Sequence, residues 1–148
     1  MEIQFEIQGK VKAKQSFRIS RGGIKYIPAE IKEYANWVRL CFMNKYPNWN
    51  IKQFENKPLK SVIDVFISTP KSFSKKKTEQ ALKGEIRPLT KPDADNIAKN
   101  INDALNGIVY PDDKQITCLQ VNKVYSMIDT VRVSISGELT DIKGVILR

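Results

Sequence analysis

Five of the chain's sixteen acidic residues, Asp93, Asp95, Asp103, Asp112 and Asp113, fall within 21 positions, and Lys99 is the one basic residue among them. The chain as a whole carries a formal charge of +9, so this gathering runs against the general balance. Carboxylates at that density repel one another unless a cation sits among them, and a donor set of hard oxygens suits Mg²⁺ or Mn²⁺ rather than zinc. Such an ion lowers the pKa of a bound water and polarises a phosphoryl oxygen, the two things that phosphodiester hydrolysis needs. The sequence contains no histidine. That excludes His-dependent nucleophiles, His metal ligands and nucleases with a histidine base, and leaves carboxylates and lysine to carry any chemistry. On these residues the chain reads as a metal-dependent nuclease or phosphohydrolase.

The element that must position them is "NIAKNINDALNG". Ile97, Ala98, Ile101, Ala104 and Leu105 form one apolar stripe, an Asx residue stands at the entrance, and Gly107 takes the C′ position. Asp93 and Asp95 therefore lie at or just before a helix N-terminus. Pro92 favours an extended Lys91, and a continued extended run would project both aspartates to one side. One aspartate could cap the helix and the other be favoured by its dipole, but a cap explains one carboxylate, and two aligned ones joined by Asp112 and Asp113 in a second turn repel unless a cation sits among them. Lys99 stands one turn after Asp95 on the same face. It is either an exposed ion-pair partner, worth about 0.3 to 0.5 kcal/mol, or a fixed charge beside the metal that stabilises developing phosphorane charge. Asp103, a further turn along, reads as a salt-bridge or supporting residue rather than a direct ligand.

Around that helix the pattern is α+β. "MEIQFEIQG" alternates as a strand, and "SFRISRGGIKYI" reads as a hairpin turning at Gly22-Gly23. Pro28 opens a helix that keeps Ile31, Tyr34, Ala35, Val38, Cys41 and Phe42 on one side to about Asn44, with Trp37 off the stripe. "YPNWNIKQFENKP" reads as a polar connector and "LKSVIDVFIST" as a buried strand. From Lys71 to Lys91 seven basic residues face two acidic ones, giving a short basic helix and then a mobile loop. "QITCLQVNKVY" and "TVRVSISGEL" read as two strands joined around "SMID" into an antiparallel hairpin. The expectation is a single domain over 1–148, with one mixed, mostly antiparallel sheet packed with helices.

An excess of 25 Lys and Arg over 16 Asp and Glu favours a polyanionic partner, nucleic acid before membrane. Cys41 and Cys118 lie in apolar runs and read as reduced core residues. No signal peptide or long apolar span is present, which points to the cytoplasm.

The stretch "KPDADNIAKNINDALNGIVYPDDKQI" resembles the signature of the RusA family of Holliday junction resolvases. The family pattern D-x-D-N-[LI]-x-K, then D-A-L, then D-D-x-Q-[VI], occurs here in order. The resemblance runs from about Thr69 to Val124 and includes the Lys-rich approach "TPKSFSKKKTEQALKGEIRPLTKPD". Weaker similarity covers Gly9 to Val38, where "YIP" at Tyr26 to Pro28 matches, while "GKVKAKQSFR" lacks the family's prolines and keeps Lys14 and Arg18.

The resemblance implies catalytic acids at Asp93, Asp95 and Asp113, holding Mg²⁺ or Mn²⁺ with Asp112 as a further ligand or turn former, and a catalytic lysine at Lys99. It implies DNA contacts through Lys71, Lys75, Lys76, Lys77, Lys91, Lys14 and Arg18. It further implies a homodimer that nicks a four-way junction symmetrically in recombination and repair, in a bacterial cytoplasm or nucleoid and often phage-encoded. A two-fold branched substrate does ask for two sites related by the same symmetry. The alternatives are a non-catalytic branched-DNA-binding module and a PD-(D/E)xK nuclease using Pro111-Asp112 and "DIK" at Asp141 to Lys143. Phe73 and Tyr110 read as core residues before they read as stacking platforms for unpaired bases.

Overall fold

Alternation along β1 (Glu2–Gln8) buries Ile3, Phe5 and Ile7 and leaves the residues between them exposed. The computed structural model describes residues 1–13 and 18–137. Beyond β1, a two-stranded ribbon pairs β2 (Arg18–Ile19) with β3 (Lys25–Tyr26). The ribbon is closed by the Ser20 amide on the Ile24 carbonyl at 2.8 Å. Of the two turn glycines only Gly23 takes a positive φ, +78°, so the turn uses the left-handed freedom of one. Helix α1 (Ala29–Lys45) follows with Pro28 as its N-cap residue and buries Ile31, Tyr34, Val38 and Phe42.

The central strand is β4 (Leu59–Ser68). Helices α2 (Lys75–Leu82) and α3 (Ala94–Leu105) come next, then β5 (Ile116–Ser126) and β6 (Thr130–Ser136). The sheet order is β1-β6-β4-β5, antiparallel except for the parallel β4-β5 pair. Register places Ile3, Phe5 and Ile7 opposite Ile135, Val133 and Val131, which lie in turn opposite Ser61, Ile63 and Val65. That makes one continuous buried face. Val38 and Phe42 of α1 and Ile97, Ile101 and Leu105 of α3 join the same core cluster. The expected α+β class with a mixed, mostly antiparallel sheet is what the chain adopts.

Two local expectations give way. β5 and β6 do not form a hairpin, because β4 lies between them. Four Cα steps from Ser126 to Thr130 reach roughly 13 Å when extended, enough to cross the roughly 10 Å that two strand spacings require. The crossing is held by Asp129, which accepts from the Ser68 amide and from the Ser68 hydroxyl at 2.9 Å each. A strand as apolar as β4 is better buried inside the sheet than at its edge. The polar connector also contributes to the core. A 3₁₀ turn at Ile51–Phe54 drops a fully buried Phe54 beneath Trp49 (ring centroids 5.2 Å), which meets Phe42 edge-on at 6.0 Å.

Edge strand β1 is closed by α1. The Trp37 indole donates to the Gln8 carbonyl at 2.8 Å, and Tyr46 both accepts from the Gln4 amide and donates to its carbonyl. Polar side chains on an edge of this kind guard against pairing with a foreign strand.

Candidate active site

The approach begins at α2, capped by Ser74, whose hydroxyl accepts from the Lys77 amide at 3.1 Å. Lys75, Lys76 and Lys77 occupy its first turn and are all exposed. Three cations at a helix N-terminus oppose the helix dipole, so helix stability does not explain them. The Lys77 ammonium lies 4.3 Å over the half-buried Phe73 ring, and that ring meets Tyr125 of β5 edge-on at 5.5 Å. The chain then runs beside β5, where Arg87 donates to the Lys123 carbonyl and Lys123 to the Thr90 carbonyl. It enters α3 through a cis Lys91–Pro92 peptide.

Asp93 is the N-cap residue of α3, yet its side chain makes no capping hydrogen bond. Asp95 lies in the first turn. The two aspartates therefore do not alternate along one extended run as the sequence suggested; one precedes the helix and the other is inside it, and both are exposed. Lys99 and Asp103 follow at helical spacing, also exposed, beside the buried stripe Ile97, Ala98, Ile101, Ala104 and Leu105. The helix is tied to the sheet by Ser61, whose hydroxyl donates to Asn102 Oδ1 at 3.3 Å. It is tied to the following turn by the fully buried Tyr110, whose hydroxyl donates to the Asn102 carbonyl at 2.8 Å. Tyr110 is thus a core residue. Gly107, at φ +77°, donates to the Tyr110 carbonyl at 2.8 Å and turns the chain back.

That return brings a 3₁₀ turn, Asp113–Gln115, against α3. Asp112 caps it, accepting from the Lys114 amide at 3.0 Å. Gln115 completes a capping box, accepting from the Asp112 amide and donating to the carbonyls of Phe54 at 2.7 Å and Lys57 at 3.1 Å. Asp112 is therefore the turn former. Asp113, released from that duty, meets the carboxylates of Asp103 and Asp112. Partial burial first, then hydrogen bonding to Asp103 and Asp112 and their like charge, push the Asp113 carboxyl above its usual range. The Lys114 amide holds Asp112 below its own.

The structure thus brings together Asp103, Asp112 and Asp113. Asp93 and Asp95 stand apart at the opening of α3; eight residues of helical rise, about 12 Å, separate Asp95 from Asp103. Among the described residues, no three His, Cys, Asp or Glu side chains converge closely enough to hold a metal ion. Arg18 is exposed on β2 and lies 3.9 Å from Glu30. Lys71 and Lys91 share a cavity at the ends of β4 and β5. Lys14 falls outside the described residues, as do Asp141 to Lys143 of the PD-(D/E)xK pattern. A cavity of about 910 Å³ between β1 and α1 contains none of the five acids.

The holding roles of Gln115 and Asn102 are not legible in the sequence. Gln115 was visible as the Q of "DDKQ", whereas Asn102 carried no signal beyond being polar on a buried face. No helix among the described residues is long and apolar enough to cross a membrane.

An α+β core that displays acids along one helix inside a basic chain defines a class of candidate phosphodiesterases. The family model for endodeoxyribonuclease RusA matches residues 6–136, and the chain belongs to that family. It is also similar to the uncharacterized protein YqaN of Bacillus subtilis (strain 168). The two are 38% identical over 138 residues, which cover 90% of this chain and 94% of the relative.

Proposed function

We propose that this chain is a Mg²⁺-dependent endodeoxyribonuclease, with Mn²⁺ able to substitute, that resolves four-way DNA junctions by paired symmetric nicks as a homodimer. The observation that carries the reading is the acidic side of α3. Asp93 carries no capping hydrogen bond, Asp95 and Lys99 follow on exposed turns, and Asp113 is crowded against Asp103 and Asp112. A cation relieves that crowding as a proton does, so the donor chemistry fits a hard divalent ion.

We assign Asp93, Asp95 and Asp113 to the metal, with Asp112 beside them. Asp93 and Asp95 open α3 while Asp112 and Asp113 stand on the following 3₁₀ turn, so the assignment is of a role in metal-dependent nicking, tested by substituting each in turn. When bound, the ion supplies an acidified water and draws charge from a phosphoryl oxygen. Lys99 holds positive charge between the two groups of acids, where it stabilises the charge that develops on the scissile phosphate. Lys71, Lys75, Lys76, Lys77 and Lys91 draw the DNA backbone to that side.

The experiment is incubation of a labelled four-way junction with the protein and Mg²⁺, beside Asp95→Asn. Paired nicks by the wild type and none by the variant are expected. Binding without nicking by the wild type would reduce the protein to a branched-DNA-binding module, and equal nicking by the variant would overturn the site assignment. A mass of two chains by light scattering is expected for the free protein.

A further inference from the structure

A cavity of about 440 Å³ lies where β4 and β5 end, walled by Lys10, Lys71, Lys91, Thr69, Thr90 and Tyr125 among others. β4 and β5 are the sheet's parallel pair, and the crevice outside the carboxyl ends of parallel strands is where open α/β sheets take their ligands. Lys91 and Pro92, on the same wall, lead directly into Asp93. The lining carboxylate, Asp129, is already engaged by the Ser68 amide and hydroxyl. Lys10, Lys71, Lys91, Thr69 and Thr90 therefore share this lining with a half-buried Tyr125, whose ring is braced by Phe73, itself under Lys77. A volume of this size lies within the range of small-ligand sites, about 300 to 1,000 Å³. It has room for one nucleotide and none for a paired duplex.

We propose that this cavity is a nucleotide subsite, in which Lys10, Lys71 and Lys91 hold the phosphates of one DNA strand and the Tyr125 ring receives a base that has left the stack. The proposal rests on the nuclease reading for its substrate class, and it adds Lys10 and Tyr125 as contacts. Aromatic faces take bases regardless of sequence, and strand phosphates take lysines with a salt-dependent affinity. The base pairs at a branch point flank a strand exchange, so a base leaves the stack there at lower cost than inside a linear duplex. The subsite therefore gives structure selectivity without base-specific contacts.

The test is fluorescence anisotropy in EDTA, with the full chain, on a labelled four-way junction, a single-stranded oligonucleotide and a fully paired linear duplex across a series of NaCl concentrations. Lys10→Ala is expected to lower the slope of log affinity against log salt by about 0.7 to 0.9 on the junction and the single strand. Tyr125→Leu is expected to weaken both about tenfold, with Tyr125→Phe close to wild type and the duplex little changed. Equal weakening of the linear duplex, or an unchanged slope for Lys10→Ala, overturns the subsite. A wild type that binds in this way but never nicks with Mg²⁺ or Mn²⁺ overturns the nuclease reading alone. A wild type that nicks while Lys10→Ala and Tyr125→Leu keep full affinity overturns the subsite alone.

Discussion

Adjacent carboxylates with the same intrinsic acidity are driven apart here by their surroundings. Asp112 is held ionised by the Lys114 amide, while burial and the Asp103 and Asp112 carboxylates push Asp113 up. A carboxyl whose pKa is raised in the folded state keeps a proton that the unfolded chain has released. Its ionisation therefore costs stability as pH rises from the ordinary carboxylate value through the raised one. Asp103→Asn removes one source of that cost. In EDTA near neutral pH the variant is expected to melt higher than wild type, with the gap closing at acid pH, where Asp113 is protonated in both. A lower melting temperature for the variant near neutral pH would count against this account. Lys99→Ala is expected to slow nicking about 100- to 1,000-fold while leaving junction affinity in EDTA within a few-fold; single-turnover cleavage and anisotropy separate the two. The acids themselves were legible in the sequence from density and spacing. Which of the Asp112-Asp113 pair turns toward α3 was not, because Gln115 sets it by reaching Phe54 and Lys57, some sixty residues away.

Among elements, those with a strong period could be read directly. β1, α1, β4 and α3 lie where alternation and helical spacing put them, since each buries one face against a single core. Strand partners were another matter: β5 and β6 are separated by a short link that looks like a turn, yet both pair with β4, and the link crosses it under Asp129's hold on Ser68. Two tyrosines, equally apolar to the eye of a pattern, differ in the same way. Tyr110 donates to the Asn102 carbonyl inside α3, so Tyr110→Phe is expected to cost about 1 kcal/mol in urea unfolding. The Tyr34 hydroxyl is buried with no hydrogen-bond partner among the described residues. Tyr34→Phe is therefore expected to raise stability by about 1 kcal/mol, measured in the same way. Tyr34→Phe falling below wild type would show that the hydroxyl is satisfied in solution.

At the scale of the whole molecule, the net charge of +9 sets how DNA approaches, and α2 concentrates it in one exposed turn. Replacing Lys75, Lys76 and Lys77 together by Ala is expected to lower the salt slope of junction binding by about 2 to 3, with nicking at saturating protein far less affected. An unchanged slope would make these lysines ordinary surface. The sheet order carries a different kind of consequence. β1 and β4 share no bond; each pairs with β6, and the Thr130 hydroxyl reaches the Ile7 carbonyl across 123 positions of chain. On a ribosome, β1 waits through almost all of synthesis for its neighbour β6, and the α3 acids stand on an unfinished platform until then. Translation that stops short of β6 therefore yields a chain with the acidic stretch intact and no complete sheet to display it.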